Sequence, residues 1–305
     1  EELVVYQALY GEMKTWVRPL CMWNETVVKD GAEVPRFAYL GETLPLEARE
    51  YMALGVSCQG GAAYGKYYIQ MHDGNRSAQI ADLEEKTVTD CRMPNPDSLY
   101  HCNSAGFGCE FYDGDDVLPL LYVSNENIDR HNIVVYRVKE GEFTPVQTIT
   151  FDDPRQVNRF YPNVSVDAAG KKLLCLSLDL PTPETHWSLA RALILDVYDL
   201  PRLADGDVAL HVDKAINSFR LPAVVAPQGS AVIDGKLYLA SGNEIKTGIL
   251  LSVYDYHTGK ELLKLDLGRA GVLTTEPETV FAFDGGLYIT DVYGKIYGVC
   301  GLPLN

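Results

Sequence analysis

Basic residues are scarce in this sequence: 26 lysines and arginines stand against 42 aspartates and glutamates, a formal charge of −16. Nucleic acid is gripped through phosphates by clustered Lys and Arg, and no such cluster exists here, so that class of partner is excluded. No apolar run approaches the roughly 18 residues of a transmembrane helix, so no membrane-spanning segment is expected. A signal peptide is also missing, but the sequence opens on Glu1 rather than Met, as expected of a trimmed or processed chain, and its absence assigns no compartment. The seven cysteines (Cys21, Cys58, Cys91, Cys102, Cys109, Cys175, Cys300) show no C-x-x-C spacing, which argues against zinc-ribbon and thioredoxin-like sites. Several lie in strand-like runs and read as small buried hydrophobes, and an odd count leaves at least one thiol free unless chains cross-link. Gly60-Gly61 and Gly106-x-Gly108 precede neither a helical pattern nor a Lys-Ser/Thr pair, so no phosphate loop is present. Ser57, Ser104 and Ser230 lack the G-x-S-x-G setting of a hydrolase nucleophile.

What the sequence does contain is a repeated sentence. It is plainest at Gln228–Gly242, where an apolar run ending at Ile233 meets Asp234-Gly235 and an alternating run from Leu237 follows. Asp-Gly between such runs is a hairpin signal, because the tight turn needs positive φ. A lone hairpin cannot bury its apolar face. Related sentences start near residues 59, 101, 163 and 278, and each continues into a third and often a fourth strand-like run. Units of about four strands at a period of about 40 to 65 residues indicate a β-propeller, whose blades bury their faces against one another. The expectation is an all-β chain with five blades, or six if residues 1–57 fold as an irregular blade. A β-sandwich is the weaker reading, since nothing in a sandwich restarts the same turn pattern five times.

The repeats run to the C-terminus without a linker, and 47% hydrophobic residues suffice for a sizeable core. Residues 1–305 therefore read as one propeller domain, with 1–57 as an N-terminal segment and 58–305 as the five repeats. The last repeat has only three clear strands, so an N-terminal strand from within 36–56 is expected to complete its blade and close the ring. Long insertions lie in the second and third repeats, at 107–116 and 178–191, and long loops are where binding is commonly carried. The second insertion holds Pro181, Pro183, His186 and Trp187, an aromatic platform for a sugar or a cover for a blade edge. Residues 200–219 read as a connection along the outer rim.

In a propeller the first strand of every blade lines the central channel. Alignment of the copies places Gln59, His101 with Asn103, Asn163, Gln228 and Glu278 at the strand starts, with Glu276 two residues before Glu278. Such a polar mouth can hold a divalent cation such as calcium, orient a polar ligand, hold ordered water or merely satisfy itself. Only His101 and Glu278 are candidates for proton exchange. His72 and His131 lie in turn-like settings and read as exposed residues.

The openings Gln59-Gly-Gly-Ala, Gln228-Gly-Ser-Ala and Glu276-Pro-Glu-Thr-Val, each followed by a Gly turn and a run like Leu287-Tyr-Ile-Thr-Asp291, resemble those of NHL and TolB-like bacterial propellers. The pattern His101-x-Asn103 with Leu118-Pro-Leu-Leu-Tyr-Val-Ser124 is similar to uncharacterised, generally exported bacterial propellers. This resemblance spans about 58–300 and implies an extracytoplasmic location, periplasmic or cell-surface. It implies binding of a small polar or carbohydrate ligand, or of another protein, through the channel mouth and the two insertions. Related propellers also include lactonases and lyases with a channel metal, so a metal-assisted hydrolase or lyase is the competing expectation. Such sites use Glu, Asn and Asp, whereas this ring has Gln59 and Gln228. The carboxylate pair of five-bladed glycosidases has one counterpart here, Glu278.

Overall fold

The Asp-Gly pairs turn the chain as their chemistry requires. Asp234 and Gly235 have φ of 49° and 70°, and Asp284 and Gly285 have 46° and 70°. Two successive positive φ values make the type I′ turn, whose twist matches that of the flanking strands. Ile233 accordingly faces Lys236, and Phe283 faces Gly286, across two-residue loops.

The structure, a computed structural model, describes residues 2–7, 15–23, 25–29, 32–35, 46–72, 77–92, 101–125, 132–151, 159–182 and 185–302. In the N-terminal segment β1 (Leu3–Gln7) pairs with β2 (Thr15–Pro19), the single turn α1 (Leu20–Trp23) follows, and β3 (Thr26–Lys29) pairs with β4 (Ala32–Pro35). Next comes β5 (Glu47–Ala53). Blade 1 is β6 (Gly61–Tyr64), β7 (Tyr67–Met71), β8 (Ser77–Asp82) and β9 (Thr87–Arg92). Blade 2 is β10 (Ala105–Phe107), β11 (Leu121–Asn125), β12 (Asn132–Lys139) and β13 (Glu142–Phe151). Blade 3 is β14 (Arg159–Asp167), β15 (Lys172–Asp179) and β16 (Ala192–Asp199); β17 (Val208–Leu210) leaves it, and β18 (Asn217–Leu221) completes it. Blade 4 is β19 (Pro227–Ile233), β20 (Lys236–Ser241), β21 (Leu250–Asp255) and β22 (Lys260–Asp266). Blade 5 is β23 (Pro277–Phe283), β24 (Gly286–Asp291), β25 (Lys295–Cys300) and, from the other end of the chain, β5.

The protein is thus a five-bladed propeller closed by an N-terminal strand. The first strands touch in the order β6, β10, β14, β19, β23 and back to β6, so the ring is complete. The described residues before β5 add no sixth blade, since β1–β2 and β3–β4 form two separate ladders. Two outer strands depart from the sequence reading. The connection after Leu200 ends sooner than expected, because Asn217–Leu221 is the fourth strand of blade 3. Before that, β17 adds in parallel to β13 and clamps the rim of blade 2.

The core lies between blades, in five clusters. Leu121, Val123, Val134 and Tyr136 of blade 2 pack against Ile69 and Met71 of blade 1. Their chain neighbours Leu120, Tyr122, Ile133 and Val135 pack against Val164, Leu173 and Cys175 of blade 3. Successive side chains of a strand point to opposite faces, and here both faces meet another blade. Runs such as Leu173-Leu-Cys-Leu176 are therefore apolar without interruption. Blades 3 and 4, and blades 4 and 5, repeat the pattern. The seam between blades 5 and 1 is aromatic: Tyr68 stacks on Phe281 at 4.5 Å, and Phe281 on Tyr288 at 5.5 Å. From the closing strand, Tyr51 meets the edge of Tyr288 at 5.2 Å and donates a hydrogen bond to the Leu83 carbonyl of blade 1 at 2.6 Å. All seven cysteines are free thiols.

Candidate functional site in the central channel

The channel is built from the five first strands, and each end of it has its own chemistry. At the strand starts, Gln59, Asn103, Asn163, Gln228 and Glu278 occupy equivalent places. Register irregularities fall at this level, between Phe160 and Asn163, Pro227 and Ser230, and Pro277 and Thr279. A bulge turns a side chain out of the regular alternation, and Gln228 and Glu278 lie within theirs. His101 is two residues before the ring residue Asn103, the same offset as Glu276 from Glu278, so both belong to a second tier at the rim. His101 has φ of 45° and Ala226, also two before its ring residue, has 44°. These are left-handed conformations that non-glycine residues rarely adopt.

The ring is tight. Gln59, Asn103, Asn163, Gln228 and Glu278 are 7%, 3%, 0%, 7% and 0% exposed, so the ring residues are all buried. Asn103 Nδ2 reaches from blade 2 to the Pro227 carbonyl of blade 4 at 2.9 Å, and Asn163 Nδ2 donates to the same oxygen at 3.3 Å. Ser230 Oγ donates to Asn163 Oδ1 at 3.2 Å and lies 2.6 Å from Ser165 Oγ. Ser104 Oγ accepts from the Val164 amide at 2.6 Å, joining blades 2 and 3. Gln228 Nε2 donates to the Glu276 carboxylate. Two glycines permit this closeness, because a Cβ on Gly60 would sit 2.4 Å from Ser104 N and one on Gly229 2.3 Å from Glu278 O.

Gln59 Oε1 is buried, and no protein donor among the described residues reaches it. Burial raises the Glu276 carboxyl above its ordinary value near 4.5, a shift that the Gln228 hydrogen bond partly opposes. Cys58 is buried beside Glu278 and Asp291; desolvation first and those negative charges second push its thiol up, so it is no thiolate nucleophile. Asp291, which the sequence reading passed over, is buried and accepts from Thr275 Oγ1 at 2.9 Å and from the amides of Tyr293 and Lys295 at 3.0 and 2.9 Å. Those bonds make it a clasp for the turn after β24. Among the described residues no three His, Cys, Asp or Glu side chains gather as a metal site.

At the other end the first strands run out to their turns around a cavity of about 420 Å³. Small or apolar residues from all five blades line it, among them Ala62, Ala105, Ala231, Val280 and Ala282. The sequence reading missed this space. Its only written trace is a shortage of bulk just after three of the five ring residues, in Gly60-Gly-Ala62, Ser104-Ala-Gly106 and Gly229-Ser-Ala231. Of the other residues singled out in the sequence, His72 is half-buried and hydrogen-bonds Ser77 Oγ at 2.9 Å through Nδ1. His131, Pro183 and the Trp187 side chain lie outside the described residues.

Comparison with known proteins agrees with the architecture. Residues 1–39 match a family described as a protein of unknown function (DUF1653), a match that ends before the first strand of the propeller. No curated protein matches the sequence. Among solved structures, glutaminyl cyclase of Myxococcus xanthus superposes with a TM-score of 0.50 at 12% identity, covering 85% of this chain and 94% of that one. The PQQ-bound aldose sugar dehydrogenase of Streptomyces coelicolor superposes with a TM-score of 0.50 at 10% identity, covering 85% and 99%. At such identities the likeness establishes the class, a β-propeller, and fold alone assigns no activity. No helix among the described residues is long and apolar enough to cross a membrane.

Proposed function

We propose that the protein is a binding protein of the NHL/TolB-like kind, taking a small polar or carbohydrate-like ligand at the strand-start end of the channel. The ligand contacts are Glu276 and His101 at the rim and, behind them, the ring of Gln59, Asn103, Asn163, Gln228 and Glu278. The observation that carries this reading is Gln59 Oε1, a buried acceptor to which no described protein group donates. An orphaned buried acceptor costs about 1–3 kcal/mol, and a hydroxyl, amine or calcium ion supplied by a ligand removes that cost. The half-buried Glu276 carboxylate adds negative charge at the same end, which favours the same donor-rich ligands.

Thermal melting tests it, with a panel of neutral and amino sugars and with calcium chloride as probes. A ligand at about 100 times its Kd stabilises the folded state by about 2.7 kcal/mol, a shift that is easily read. The expected result is a shift for at least one probe that Gln59→Leu abolishes. The reading fails if no probe shifts the wild type, or if Gln59→Leu and Glu276→Gln leave the shift intact. The metal-assisted hydrolase or lyase has no comparable support, since no cluster of metal-ligating side chains forms among the described residues. An extracytoplasmic location goes with the NHL/TolB-like reading, and fractionation of cells producing the full-length protein checks it.

A further inference from the structure

The cavity at the turn end of the channel is separate from the polar ring and has a different chemistry. Its deep end is Gly61 and Ser230, next to the ring; its mouth is Tyr64, Asp167–Ala169 and Asp234-Gly235. At about 420 Å³ it falls in the range of small-molecule sites, roughly 300–1,000 Å³. Between these ends its lining is chiefly alanine, valine and glycine, whose side chains offer no hydrogen bonds, so it suits an apolar body.

Two features at the mouth define the rest of the ligand. On one side stands an aromatic group: Tyr64 lies 5.8 Å from Phe107 and 6.3 Å from Phe111, and Tyr64 and Phe111 remain 40% and 43% exposed. Exposed aromatic faces attract cations as well as apolar groups. On blades 3 and 4 stand two carboxylates, Asp167 and Asp234, that differ in their commitments. Asp167 is occupied, accepting from the Gly170 amide at 2.9 Å and from the Tyr256 hydroxyl. Asp234 is exposed in its turn, and no described Lys, Arg or hydroxyl bonds to it. The formal charge of −16 draws cations to the whole surface.

We infer that this cavity is a second ligand site, for a compact organic cation: an apolar body seated among Ala62, Ala105, Ala231 and Ala282, with an ammonium group at the mouth facing Asp234 and the Tyr64 ring. The site does not depend on the polar ring.

The test is calorimetric titration of the full chain with 2-phenylethylamine and with its neutral counterpart 2-phenylethanol. The expected result is saturable binding of the amine, weakened about tenfold by Asp234→Asn and by a comparable factor for the alcohol, as expected for loss of one charge pair. Ala282→Trp, which places an indole in the cavity from an exposed position, abolishes binding. Gln59→Leu leaves it unchanged, which separates this site from the one at the ring. Both cavity variants lie at the surface, and melting curves confirm that they fold. The inference is overturned if the wild type shows no saturable binding of the amine, if Ala282→Trp binds as the wild type does, or if the alcohol binds as tightly as the amine.

Discussion

The two ends of the five first strands are built on opposite plans. At their starts, amides and hydroxyls knit the blades together so closely that Asn103 of blade 2 reaches Pro227 of blade 4. At their turns the same strands carry alanine and glycine and leave a cavity of about 420 Å³. The difference teaches where the ring gets its geometry. Hydrogen bonds are directional and fix distances within a few tenths of an ångström, whereas apolar contact is not directional and holds the blades without closing the axis.

Substitutions at each end can break this contrast. The largest effect is expected for Gly229→Val, whose side chain would meet the Glu278 carbonyl of the next blade: a loss of about 3 kcal/mol or more, read from the urea midpoint. Asn163→Ala removes the donor to Pro227 and the acceptor for Ser230 at a fully buried position, and should cost about 1–3 kcal/mol in the same measurement. Tyr51→Phe removes one hydrogen bond that latches the closing strand to blade 1, a loss of about 1 kcal/mol. Ala282→Trp at the open end should change stability by no more than about 0.5 kcal/mol, and a loss like that of Gly229→Val would show that the turn end is as closed as the ring.

Acidity sharpens the same comparison. Burial holds the Glu276 carboxyl above its usual value near 4.5, so the folded state binds that proton more tightly than the unfolded chain does. The stability linked to this group is then fully present below about pH 4.5 and is lost as pH rises through the higher folded value. Glu276→Gln should flatten that part of the stability profile, gaining on the wild type above the window and not below it. An unchanged profile would mean that the rim is as wet as bulk solvent.

Much of the fold was legible because the blades repeat one local code. Asp234-Gly235 and Asp284-Gly285 specify their turns through φ alone, and the missing fourth strand of the last repeat called for a closing strand that proved to be Glu47–Ala53. Outer strands were harder to read. In β9 residues Thr87 to Asp90 are exposed, so no apolar pattern marks it, and β18 alternates with Ser218 and Arg220 outward but has only Phe219 and Leu221 as apolar residues. The parallel addition of β17 to β13 has no local signature, since backbone pairing between distant segments leaves no trace in either one.

From residue order alone follow the Asp-Gly turns, the number of repeats and the equivalence of the polar starts, because each depends on neighbours along the chain. Closure decided the remainder. Only when blade 5 meets blade 1 do Gln59 and Glu278 come to neighbouring strands of one ring, and only then do segments of five separate strands line a single cavity. Burial and emptiness are properties of the assembled ring, which no single strand possesses.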